Sequence, residues 1–169
     1  ALTILARIDA DNQRYCINEQ IDVGFILDTT DVYFGIGGDE ERYIPVVLAP
    51  EFEKLLSNKK FLKNMGSRLL VTKTAYEMIE NIESYASRYV GRLITEEMNI
   101  GVYDVYDDRS VEQLRIMKTT QHVFDKAMEL YEKGYYYEAK NLYAMVLREN
   151  QQDKVAKYYI FRCEELQDS

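Results

Sequence analysis

The stretch from Ile21 to Val47 limits the folds open to this chain more than any other. Ile21, Val23, Phe25 and Leu27 alternate with Asp22, Gly24 and Ile26; Asp28-Thr29-Thr30-Asp31 follows, then Val32-Tyr33-Phe34-Gly35-Ile36. Period-two alternation broken by Asp and Thr predicts a β-hairpin that turns at 28–31. Both runs are apolar on either face, so the hairpin is expected inside a sheet covered by helices rather than at a wet surface.

Apolar residues make up 47% of the 169 residues and aromatic ones 12%, enough for one domain or one domain with a small appendage. A net charge of −8 excludes the basic footprint that a nucleic acid partner requires, and reads as a solubility device. Cys16 and Cys163 stand at opposite ends in apolar settings, as buried reduced thiols do, with no disulfide or metal spacing. No run approaches the roughly 18 apolar residues of a membrane span. Arg7 and Asp9 interrupt the apolar pattern of the first ten residues, so no signal peptide is expected there. A cytoplasmic location is expected, either free or as the cytoplasmic part of a membrane-anchored protein. The missing initiator Met points to a piece of a longer chain.

Leu2, Leu5 and Ile8 step at helical spacing and predict a first helix that packs on the hairpin. Tyr43 to Leu48 resumes strand chemistry, with Pro45 marking an edge or bulge, and Pro50 opens a helix carrying Phe52, Leu55 and Leu56. Ser67 to Val71 reads as a strand. Thr74 and Glu77 form a capping box before Ala75, Met78, Ile79, Ile82 and Tyr85, predicting a helix along that face. Arg88 to Thr95 and Asn99 to Tyr106 predict a second hairpin. Asp107-Asp108-Arg109-Ser110 changes character, and a boundary is placed there, giving 1–108 and 109–169. From Thr119 three apolar faces follow at helical spacing. These are Phe124, Ala127, Met128 and Tyr131, stopped at Gly134; Tyr136, Ala139, Leu142, Tyr143 and Val146; and Val155, Tyr159, Cys163 and Leu166.

Taken in order, residues 1 to 106 resemble the second half of a class III adenylate/guanylate cyclase domain. Gly24-Phe25-Ile26-Leu27 and Val32-Tyr33-Phe34-Gly35-Ile36-Gly37 stand where that family has GIHTG and VVxGxxG, and Arg42-Tyr43 follows as its Arg-Tyr does. Ser67 to Tyr76 is similar to its ILVSExTY step, and Arg88-Tyr89-Val90-Gly91-Arg92 with Val102-Tyr103-Asp104-Val105 to its closing hairpin. The resemblance implies an α/β (α+β) fold with a mixed, largely antiparallel sheet, a partial ferredoxin-like cyclase fold. It places the family's two metal-binding aspartates on strands before this chain. The transition-state Asn and Arg fall on Glu51 and Leu55, the purine-selecting Asp on Ile44, and the base-recognition Lys has no equivalent in Thr95-Glu96-Glu97. A carboxylate repels a triphosphate and Leu offers no donor to developing charge. The expectation is a degenerate, catalytically silent cyclase-homology domain of a bacterial signalling protein, with no catalytic, cofactor or metal residues. The alternative is part of a working cyclase completed by a missing half or a partner subunit.

Gly134, Tyr136, Ala139, Tyr143, Val146 and Gln151 resemble the spacing of a tetratricopeptide repeat, with 153–166 as a capping helix, so 109–169 is expected as a three-helix tail.

Other patterns carry plainer readings. Gly35-Ile36-Gly37-Gly38 lacks the Lys of a phosphate loop and reads as a tight turn, and Asp28 and Asp31 read as turn formers. His122 has no nucleophile or acid at triad spacing. Asp104, Asp107 and Asp108 read as a charged boundary. Tyr135, Tyr137 and Tyr158 exceed what helix packing requires and are expected outside as a candidate interaction surface; partner binding and plain packing stand level there. The expected partners are a second copy or a related cyclase-type domain, and a protein bound through the tail. Missing strands would leave an open sheet edge that favours a homodimer.

Overall fold

The computed structural model describes residues 1–15, 20–39, 41–49, 59–94 and 99–167. Among them the order is α1 (Leu2–Tyr15), β1 (Phe25–Leu27), β2 (Tyr33–Gly38), β3 (Tyr43–Leu48), α2 (Lys59–Met65), β4 (Leu69–Thr72), α3 (Lys73–Met78) and a 3₁₀ turn (Ile82–Ser84). Then come β5 (Ser87–Ile94), β6 (Asn99–Val105), α4 (Val111–Glu132), α5 (Tyr136–Glu149) and α6 (Lys154–Gln167). The fold is α+β, with a mostly antiparallel sheet and packed helices. The helix expected over Phe52, Leu55 and Leu56, and the tip of the second hairpin at 95–98, lie outside the described residues, as does Cys16.

Four strands form a sheet in the order β1-β4-β6-β5; β1 pairs parallel with β4, and the other pairs are antiparallel. Strand β4 is the hub. Successive side chains point to opposite faces, and Leu69-Leu70-Val71 accordingly divides between two cores. Leu69 and Val71 meet Leu5 of α1, Ala75 of α3 and Val105. Leu70 meets Val90, Val102 and the helices α4 to α6 through Phe124, Met128, Val155 and Tyr159. The sheet is therefore covered on both faces, and residues 109–167 share a core with the strands.

Two expectations need correction. Ile21–Leu27 and Val32–Ile36 do not pair as a hairpin. The Asp28 carboxylate accepts hydrogen bonds from Thr29 N (2.9 Å) and from the Thr72 hydroxyl at the end of β4. That tie holds β1 beside β4, with Phe25 opposite Leu69, while β2 turns away to pair with β3. Nor does the helix after β4 start at Thr74. Thr72, fully buried, caps it by accepting from Ala75 N at 3.4 Å. The helix then stops after Met78, and Asn81 turns left-handed at φ 56°. Met78 and Tyr85 are exposed rather than on a buried face.

The tail helices follow the expected faces. Helix α4 ends where Gly134, at φ +83°, lets its own N–H reach Tyr131 O (3.0 Å) and that of Tyr135 reach Leu130 O (2.9 Å), the paired closure that glycine permits. Phe124 meets Tyr143 edge-on at 5.5 Å, and Tyr143 stacks on Tyr159 at 5.3 Å. Strand β5 bulges between Tyr89 and Arg92. Gly91, at φ +101°, lies under the Tyr159 hydroxyl, which donates to Val90 O at 2.7 Å; a Cβ there would overlap that hydroxyl.

Ala139 has no exposed surface and lies within this core. Ala139→Leu is expected to overpack it and cost about 1–3 kcal/mol. Tyr137→Ser, at an exposed position, is expected to stay within about 0.5 kcal/mol of the parent. Urea denaturation of both variants checks the helical phase, and the reverse ranking would show it to be misassigned.

Candidate functional site

The most unusual surface is the ribbon made by β2 and β3. Its register sets Tyr33 opposite Leu48, Phe34 opposite Val47, Ile36 opposite Pro45 and Gly38 opposite Tyr43. Facing residues share a side, so Phe34, Ile36, Tyr43, Pro45 and Val47 form one face, and Tyr33, Ile44, Val46 and Leu48 the other. Neither strand contains a charged residue. The charges gather at the tip, where the Asp39 carboxylate accepts from Glu41 N (3.0 Å) and Arg42 N (2.9 Å).

Val32–Ile36, which forms β2, was expected inside a covered sheet, and the structure corrects that. Phe34 and Ile36 are each 71% exposed and Tyr43 76%. Alternation alone states that a run is a strand, not what covers it. A two-stranded hairpin is marginal by itself in water, and scattered exposed apolar side chains are ordinary whereas a contiguous set marks an interaction site.

A second feature is ionic and buried. Arg88 at the start of β5 donates from both Nη atoms to Asp153, at 2.6 and 3.0 Å. Asp153 precedes α6 and also accepts from Ala156 N at 3.0 Å, which caps that helix. Arg88 stacks over Phe124 with its guanidinium carbon 4.2 Å from the ring centre. On its other side Asp104 Oδ2 stands 3.6 Å from Arg88 Nε, while Asp104 Oδ1 accepts from the Ser67 hydroxyl. One guanidinium thus serves two buried carboxylates. Asp153 takes the hydrogen bonds, and burial pushes the Asp104 carboxyl up from the usual carboxylate range, against the pull of Arg88 and Ser67. Nearby, Arg68 clamps Asp9 of α1 at 2.7 and 2.9 Å and stands 3.2 Å from Asp108. Asp107 accepts from Ala86 N. The aspartates of the boundary segment therefore have structural partners, which their spacing alone did not disclose.

Of the tyrosines expected outside, Tyr135 is 56% and Tyr137 67% exposed. Tyr158 is not on that surface. It is half-buried, edge-on to Phe61 at 6.5 Å and to Tyr159 at 5.2 Å. It lines a cleft of about 540 Å³ with Tyr131 and Tyr136, and Tyr135 and Tyr137 take no part in it. Helix α2 supplies the Phe61 that covers it, a contact no helical pattern within the tail can announce.

The remaining candidates are quickly placed. His122 lies along α4 beside Lys118, Asp125 and Lys126 on an open face that contains no nucleophile. Cys163 is fully buried and its thiol is pushed up to about 11 by that burial, which leaves it unreactive. Glu51, Leu55 and Thr95-Glu96-Glu97, the positions that the cyclase resemblance singles out, lie outside the described residues; Ile44 is exposed on the ribbon. Among the described residues no three His, Cys, Asp or Glu side chains converge as metal ligands, and no helix is long and apolar enough to cross a membrane.

Over 150 residues the chain is 25% identical to a protein of Dictyostelium discoideum described as "Adenylate cyclase, terminal-differentiation specific". The similarity covers 85% of this chain but 7% of that protein. Eighty-five per cent of 169 residues is more than the 108 that precede the tail, so the likeness continues into the helices. The chain therefore has a distant adenylate cyclase relative. No family model matches it, and no solved structure does.

Proposed function

We propose that this chain is a non-catalytic interaction domain of a cyclase-related signalling protein, and that it pairs with a second copy of itself through the β2–β3 ribbon. The observation that carries the reading is the ribbon itself, apolar on both faces and uncharged along both strands in a chain where 30% of residues are charged. A self-pairing surface of that composition buries no charge and leaves none unpaired, which is what acidic chains of net charge −8 need in order to associate. Support for the cyclase relation comes from the distant relative and the order of motifs. Support for silence comes from Glu51, Leu55 and Ile44 at positions where the resembled family uses an amide, a guanidinium and a carboxylate. Phosphoryl chemistry is positioning plus electrostatic stabilisation, and these side chains supply neither.

The second reading, part of a working cyclase, is favoured by the name of the relative, which matches most of this chain. Incubation of the full-length protein with ATP or GTP and manganese separates the two. The expected result is no cyclic nucleotide above the blank. Turnover that disappears when Phe34 or Ile44 is replaced would favour the second reading and overturn the first.

A further inference from the structure

We infer, on the reading that the β2–β3 ribbon pairs with a second copy, that the pairing runs edge to edge through β2. It joins two ribbons into one four-stranded antiparallel sheet. The backbone phase of the ribbon decides which edge is open to it. At the tip, Asp39 N donates to Arg42 O at 3.1 Å, so these two residues form a hydrogen-bonded pair. In an antiparallel ladder such pairs alternate with pairs whose N–H and C=O groups turn outward. Along the register from the tip, Gly37–Ile44, Gly35–Val46 and Tyr33–Leu48 are therefore bonded within the ribbon. Phe34–Val47, Ile36–Pro45 and Gly38–Tyr43 are the outward pairs.

The two edges are unequal as a result. On the β3 edge the central outward residue is Pro45, which has no N–H, and proline on an edge strand stops further pairing. On the β2 edge Phe34 and Ile36 present both N–H and C=O, and β2 has no charged side chain to repel a partner. A row of unpaired backbone groups of this kind is a template for another strand. The other strand edges are closed or short. Along β5, Gln121 Nε2 donates to Ser87 O at 3.3 Å and the Tyr159 hydroxyl to Val90 O at 2.7 Å, so helix side chains cover that edge. Strand β1 offers three residues. Nor is β2 engaged elsewhere: among the described elements, β2 and β3 pack closely on each other alone.

A second copy is the strand that fits. Two β2 edges meeting antiparallel about a two-fold axis offer each other the same groups, outward N–H to outward C=O. That axis stands perpendicular to the sheet, so the faces bearing Phe34 and Ile36 fall on one side. Their side chains then become cross-strand neighbours, with β carbons about 5 Å apart, and Tyr43 and Val47 extend the face on both flanks. Two strands alone are marginal in water, whereas three or more with an apolar face are not.

The test combines amide exchange in the parent with two proline variants. As the parent is concentrated from low to high micromolar, the Phe34 and Ile36 N–H groups are expected to exchange at least about tenfold more slowly, with Tyr43 and Val47 unchanged. Ile36→Pro removes an outward N–H from β2 and Val47→Pro one from β3, so neither touches the bonds inside the ribbon. By sedimentation velocity, Ile36→Pro is expected to weaken the dimer at least about tenfold, and Val47→Pro to leave it as tight as in the parent. An Hα–Hα contact between residues 34 and 47 in NOE spectra shows that the ribbon persists in each variant; where it is lost, the exchange pattern of the parent decides. A parent that dimerises with the four amides unchanged or slowed alike, or a Val47→Pro as damaging as Ile36→Pro, overturns the edge pairing and leaves the ribbon dimer standing. A parent that stays monomeric overturns both.

Discussion

Replacing Arg88 with methionine is expected to remove about 3–5 kcal/mol of stability at neutral pH, because it leaves Asp104 and Asp153 buried without their cation. The loss reaches three elements at once. Arg88 belongs to β5, Asp104 to β6, and Asp153 caps α6, so the variant loosens the seam between sheet and tail. The pH dependence has a definite sign. A carboxyl raised in the folded state favours folding while it is protonated, below its unfolded value, and that contribution is lost as pH climbs through the raised one. Asp104 is raised in the parent by burial, and without the Arg88 guanidinium, the largest pull against that burial, it is raised further. The deficit of Arg88→Met is therefore expected to be largest near neutral pH and to shrink as pH falls towards the ordinary carboxylate range of about 4. Urea denaturation of parent and variant across that range checks it. A deficit that is small at pH 7, or that grows on acidification, contradicts the assignment of Arg88 as the shared counter-ion.

Local features were readable in the chain where a residue's role depends on its near neighbours. The run Leu69-Leu70-Val71 is apolar at every position, as a strand buried on two faces must be, and all three residues are buried. Gly134 ends a helix, and Ala139, Tyr143 and Val146 turn inward, as their spacing states. What the chain did not disclose depends on partners distant in sequence. Asp28 has a turn former's composition, but its carboxylate is taken by Thr72, 44 residues on, and that tie decides that β1 lies beside β4. Thr72 and Thr74 both have capping chemistry; the end of β4 selects the earlier one. The Arg88–Asp153 pair spans 65 residues, and neither residue's local sequence marks it as buried. At the ribbon the miss has another cause, since alternation reports strand geometry and is silent on whether helices or solvent cover the faces.

The ribbon carries the second large effect. Phe34 and Ile36 lie on one face and Ile44 on the other, and burying each such side chain contributes about 1.5–3 kcal/mol. A glutamate at Phe34 and another at Ile44 would set like charges against each other across a two-fold contact and leave them desolvated. Both positions are exposed in the single chain, so Phe34→Glu/Ile44→Glu is expected to keep the circular dichroism spectrum and urea midpoint of the parent while losing association. Sedimentation velocity of the parent and this double variant at high micromolar concentration therefore tests the account at its centre. The account predicts a dimer for the parent and a folded monomer for the variant; a parent that sediments as a monomer at that concentration, or a variant that remains as dimeric as the parent, would contradict it.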